Sequence, residues 1–195
     1  MIALSAAVFG GWVAQAAPPI PVVGAVMEPD DVVEQYRAHA KGLGESAEGA
    51  ELLCKPAVEG LQICAAIVSP TGWQYATHAD PGVTHPTITL SPSTVGLVEK
   101  TVEGIGSYWT RERDDGREGL FFVQPGVVPV GAVVAWPVPG VVIAWVPGDP
   151  RLDQILSVGV ARMVSASNHP ISPKLYRYTD GDWVVWGEAK KPTSQ

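Results

Sequence analysis

The hydrophobic rhythm of this chain changes several times along its length, and each change marks an element. From Gly119 to Gly148 no residue is charged, and GLFFVQPGVVPVGAVVAWPVPGVVIAWVPG breaks into three short runs of Val, Ile, Phe and Trp cut apart by Pro-Gly and Pro-Val-Pro-Gly. Continuous apolar runs rich in β-branched residues predict strands covered on both faces. Asp149-Pro150 then opens a helix, with Leu152, Ile155, Leu156 and Met163 expected to face inward and an end before Asn168-His169-Pro170. Alternation resumes from Lys174 to Tyr178 and from Asp182 to Gly187, and the intervening Thr179-Asp180-Gly181 predicts a hairpin turn. Residues after Glu188 read as a disordered tail.

The first half of the chain is more broken. After Pro29, Asp30 reads as a helix cap, with Asp31 and Glu34 in the first turn and Val32, Val33, Tyr36, Ala40 and Leu43 on one face. Gly42 and Gly44 stop it. ELLCKPAVEGLQICAAIV predicts a hairpin whose loop is Val58-Glu59-Gly60, with Gly60 in the left-handed conformation. Pairing Ala57 with Leu61 sets Cys54 opposite Cys64, within disulfide reach. Such a short closed loop stabilises by about 2–3 kcal/mol. Two free buried thiols in a reducing compartment are the alternative. The second strand continues through Val68 to a turn at Ser69-Pro70-Thr71-Gly72, Trp73 to Thr77 returns, and His78 to Pro86 reads as a loop. Ser91-Pro92 predicts a second helix with Val95, Val98, Val102 and Ile105 as its stripe, and the charged stretch Arg111 to Glu118 a connector.

The expected fold class is therefore α+β: an antiparallel sheet of about five strands flanked by two or three helices, plus a C-terminal β-hairpin. Over residues 30–166, and most closely in AAIVSPTGWQYAT, this order resembles the roadblock/profilin-like α/β sandwich. The resemblance is one of topology and hydrophobic rhythm. It implies helices covering an antiparallel sheet and a role as a cytoplasmic dimeric scaffold. The apolar N-terminal segment and the added hairpin depart from that pattern.

A length of 195 residues suits one domain with extensions, divided here into an apolar segment 1–27, a core 28–168 and a hairpin with tail 169–195. Hydrophobic residues at 46% against 17% charged allow a sizeable core. The net charge of −7, with 13 scattered basic residues, argues against nucleic acid or an anionic membrane surface as partner. No charge precedes Glu28, and the apolar run Ile2 to Val13 followed by Ala14-Gln15-Ala16 resembles a secretory signal without its basic start. Gly10, Gly11 and the prolines at 18, 19 and 21 disfavour a stable membrane span. An export signal, an arm packed on a partner and an anchor remain three readings, export to the periplasm or an extracellular particle being favoured over the cytoplasm.

Chemistry-bearing residues are sparse. His78, Asp80 and His85 share one loop, yet their spacing matches no zinc pattern; His39 reads as a helix-edge residue and His169 as a loop residue. No serine sits in a nucleophile elbow. Asp114, Asp115 and Glu118, like Asp180 and Asp182, fall in charged turns and read as solvated, and Gly104-Ile105-Gly106 reads as close helix–sheet packing or helix termination. No catalytic, cofactor or metal residue is assigned. Tyr176, Tyr178, Trp183 and Trp186 crowd the last hairpin; they either complete the core or face outward as partner contacts. The expectation is a non-enzymatic structural or interaction subunit that joins itself or a larger complex, such as a virion or secretion apparatus. An exported, disulfide-bonded binding domain is the alternative, and a metal-dependent hydrolase at His78, Asp80 and His85 a third.

Overall fold

The computed structural model describes residues 22–42, 52–77, 80, 96–123 and 125–190. The fold class is α+β, with antiparallel strands divided between two sheets. The smaller sheet is built around β3 (Leu61–Ser69). Strand β1 (Val22–Pro29) pairs with its whole length, from Val22 opposite Val68 to Pro29 opposite Leu61. The other edge of β3 is shared end to end by β2 (Cys54–Val58) and β4 (Gly72–Tyr75). These two strands meet at Ala65, whose N–H donates to the Leu53 carbonyl and whose carbonyl accepts from Ala76, both at 2.9 Å.

Cys54 and Cys64 are directly opposite and form a disulfide, in the expected register. A bulge shifts the loop end, so Val58 rather than Ala57 faces Leu61, and Gly60 takes a φ of +83°. Helix α1 (Asp30–Gly42) begins at the expected residue and buries Val33 against the sheet, while Val32 and Tyr36, also expected inward, are exposed. Leu43 lies outside the described residues.

Strand β1 corrects the boundary drawn at residue 27. Ala25, Val26 and Met27 are completely buried, with Ala25 and Met27 on one face of the sheet and Val26 on the other. An apolar stretch that alternates between two covered faces is a core strand and not an appended arm. The segment carrying the signal-like pattern, residues 1–21, lies outside the described residues.

The larger sheet has six antiparallel strands in the order β10-β9-β7-β8-β6-β5. Its edge pair, β5 (Val98–Val102) and β6 (Gly106–Glu112), stands where the expected second helix would run from Val98 onward, and the expected start at Ser91-Pro92, with Val95, lies outside the described residues. Val98 and Val102, four apart, fit a two-residue period as well as a helical one. The β-branched Val98, Thr101 and Val102 with Gly104 and Gly106 tip the balance toward a hairpin. Of the uncharged block, two runs are strands, β7 (Val133–Ala135) and β8 (Val141–Trp145), and both are buried on both faces as expected. The first run is instead a single helical turn, α2 (Leu120–Val123), followed by a 3₁₀ turn at Pro125–Val127. Pro125 has no N–H for a ladder, and Leu120 and Phe121 are spent plugging the space between the sheets.

Helix α3 (Pro150–Ala166) starts where Asp149 accepts from the Arg151 N–H at 2.8 Å. Its buried face is Leu152, Leu156, Val160 and Ala161. Ile155 and Met163, expected inward, are exposed, because the apolar stripe follows the 152/156/160 row. The closing hairpin, β9 (Lys174–Thr179) and β10 (Asp182–Glu188), turns through Asp180 and Gly181, both with positive φ as a type I′ turn requires. It is part of the core and not an appendage, since β9 pairs with β7. Ala189 is buried, and Lys190 donates its N–H to Ser157 Oγ at 2.8 Å, so these two residues of the expected tail are packed on the fold, and residues 191–195 lie outside the described residues.

The result is four layers: α1, the small sheet, the large sheet, α3. Alternate residues of the large sheet serve the two sides. Val133, Ala135, Ile143, Trp145 and Leu175 pack under α3, while Val134, Trp136, Val142, Ala144 and Tyr176 meet Ala25, Met27, Leu61 and Ile63 of the small sheet. No described helix is long and apolar enough to cross a membrane.

Candidate functional site

The four hairpin aromatics divide into two pairs. Tyr176 and Trp183 are core residues, which removes them as surface candidates. Trp183 stacks on Phe122 with ring centroids 5.1 Å apart and donates its indole N–H to the Phe122 carbonyl at 2.9 Å. The Tyr176 hydroxyl lies 2.8 Å from Ser172 Oγ, and burial pushes its pKa up to about 12. Tyr178 and Trp186 are exposed, and the Arg177 guanidinium sits 5.1 Å from the Trp186 ring centroid.

A register shift between Val185 and Gly187 interrupts the hairpin's alternation. As a result Val184, Val185 and Trp186 are all partly exposed on consecutive positions of β10, the last strand of the large sheet. The opposite edge strand, β5, carries Glu99 and Lys100 in its middle. Charged side chains on an edge discourage further pairing. Between Asp182 and Glu188, β10 carries none.

A second site lies on the outer face of the small sheet. Glu28, at the end of β1, is nearly buried, and the Tyr75 hydroxyl of β4 donates to its Oε1 at 2.6 Å. The two meet across the sheet because Gly24, Val26 and Glu28 of β1 share the face that carries Tyr75 and Trp73 of β4. Tyr36 of α1 stands edge-on to Tyr75, 5.9 Å between centroids, and Trp73 does the same at 5.2 Å. A cleft of about 410 Å³ opens here, lined among others by Glu28, Val33, Tyr36, His39 and Tyr75.

Beside it, Glu118 is 1% exposed, and its Oε2 has no hydrogen-bond partner. The sequence placed this residue in a solvated turn. It is buried because residues 116–119 run along the free edge of β1, where the Gly119 N–H donates to the Ala25 carbonyl at 2.8 Å. Loss of water raises both carboxyls, Glu118 to about 7. The attraction each feels is weaker than its desolvation: His169 acts on Glu28 and Arg111 on Glu118. Arg111 is itself buried and committed to both oxygens of Asp115 at 2.5 Å. Asp114 accepts from the Trp73 indole at 2.7 Å.

Of the expected metal loop, Asp80 accepts from the Thr77 N–H at 2.7 Å and its hydroxyl at 3.0 Å, while His78 and His85 lie outside the described residues. His39 and His169 are exposed on α1 and on the loop before β9, and Asp180 and Asp182 are exposed at the hairpin turn. Glu28, Tyr36 and Tyr75 were not singled out from the sequence. The available signal was parity: reading Val22 to Glu28 as a strand puts the first charged residue on a covered face. Comparison with known protein families, with curated proteins and with solved structures gives no match, so both sites are read from their own geometry.

Proposed function

We propose that this chain is a non-enzymatic interaction subunit that assembles through the outer edge of β10, with a second copy of itself as the partner. The observation that carries the reading is the contrast between the two edges of the large sheet. Edge β5 is guarded by Glu99 and Lys100, whereas β10 presents Val184, Val185 and Trp186 without a charge. Antiparallel pairing of β10 with its own copy about a two-fold axis is self-complementary, each strand offering the same apolar side chains and free backbone groups. Polar groups elsewhere support the same reading by serving structure: Arg111 with Asp115, and Trp73 with Asp114, pin the loop beside β1.

Native mass spectrometry of the full chain over a concentration series tests this. A dimer in the wild type that becomes monomeric in Val184→Lys and Trp186→Glu is the expected result. A wild type that stays strictly monomeric at the highest concentration overturns it.

The Cys54–Cys64 disulfide favours a second reading, an exported binding domain. Intact-mass measurement of protein from its native source checks it: a bonded pair supports export, and two free thiols remove it.

A further inference from the structure

We infer that the cleft between α1 and β4 is a binding site for an organic ammonium ion, held by the Glu28 carboxylate and the rings of Tyr36 and Tyr75. This goes beyond assembly through β10 and does not depend on it. Three observations converge. The cleft, at about 410 Å³, is within the range that encloses a small ligand. Two of its walls are aromatic, Tyr36 on the helix and Tyr75 on the strand. A cation near aromatic rings is attracted by their quadrupoles, more so where water is excluded.

The third observation is an unanswered negative charge. Glu28 lines the cleft and takes one hydrogen bond from Tyr75, but forms no ion pair among the described residues. Glu118, deeper and sealed, leaves Oε2 without any partner. Burial raises both carboxyls, outweighing the pull of His169 on Glu28 and of Arg111 on Glu118. A bound ammonium group answers Glu28 directly and eases the field on Glu118.

Two sources share this chemistry, a small quaternary amine and a lysine side chain of another protein. Amide spectra of the ¹⁵N-labelled full chain, titrated separately with choline chloride and with a blocked Gly-Lys-Gly peptide at about pH 8, above the ordinary carboxylate range, separate them. Saturable shifts confined to residues 28, 33–39 and 73–76 by either probe support the site, and the tighter probe identifies the source. Glu28→Gln is expected to weaken that binding about tenfold or more, and Tyr36→Leu, at an exposed position that leaves folding intact, about threefold. Equal binding of 3,3-dimethyl-1-butanol, the neutral isostere of choline, overturns the proposal. So does the absence of saturation by both probes, or unchanged affinity in both variants.

Discussion

Gly119 donates its N–H to the Ala25 carbonyl at 2.8 Å, and this bond lays the 116–119 segment along the free edge of β1. The approach is so close that a Cβ at residue 119 would stand 2.9 Å from the Ala25 backbone. Gly119→Ala is therefore expected to force the segment off the strand and destabilise the fold by about 1–3 kcal/mol. Urea denaturation checks this, and an unchanged midpoint would contradict it.

The same segment places Glu118, and with it a dependence of stability on pH. Its carboxyl is raised by desolvation, above all, from 4.5 to about 7 in the folded protein. The folded state then holds a proton that the unfolded chain releases. Stability from this group is complete below about pH 4.5, falls as pH rises toward 7, and is gone above it. Glu28, raised for the same reason, acts in the same direction. Glu118→Gln mimics the protonated form, so the variant should gain on the wild type with increasing pH, by about 3 kcal/mol between the two limits. Denaturation of both proteins over that pH range measures the difference. A constant gap between them would refute the burial of this carboxyl.

Arg111 and Asp115 form an unequal pair. The guanidinium side chain is 2% exposed and the carboxylate 33%. Asp115→Ala strands a buried cation and is expected to cost about 3–5 kcal/mol. Arg111→Met leaves a carboxylate that water still reaches and should cost less. Thermal melts of the two variants test the order, and the reverse ranking would count against the burial described for Arg111.

Cysteine replacement separates cross-link from packing. Cys64 is fully buried against Val26 and Val33, whereas Cys54 is only partly covered. Reduction of the wild type and the double change Cys54→Ala, Cys64→Ala should each lower stability by about 2–3 kcal/mol, the share owed to loop closure. A reductant with no effect on the denaturation midpoint would argue that the thiols are free.

Much of this architecture was legible because local chemistry and global packing agree. Asp149 before Pro150, Asp180-Gly181 and the hairpin register around Cys54 and Cys64 each have a local signature, and each element appears where that signature lies. The misassigned second helix has a specific cause: four-residue spacing of valines satisfies both a helix and a strand. That spacing leaves Val98 and Val102 open to either element, and the pairing of β5 with β6 makes them strand residues. The acidic cleft was illegible for a different reason. Glu28, Tyr75 and Glu118 are far apart in sequence, and no local pattern tells that the turn holding Glu118 is pressed against β1.

The insertion of β9 beside β7 has a consequence for how the protein is made. Val133 to Ala135 pair with β8 on one side and with Arg177 to Leu175 on the other. A nascent chain that has emerged only through α3 therefore shows a bare, wholly apolar strand to its surroundings. Until residues 174–188 leave the ribosome, that strand can recruit any extended peptide nearby, which makes premature termination in this region a source of aggregates and not of smaller folded proteins.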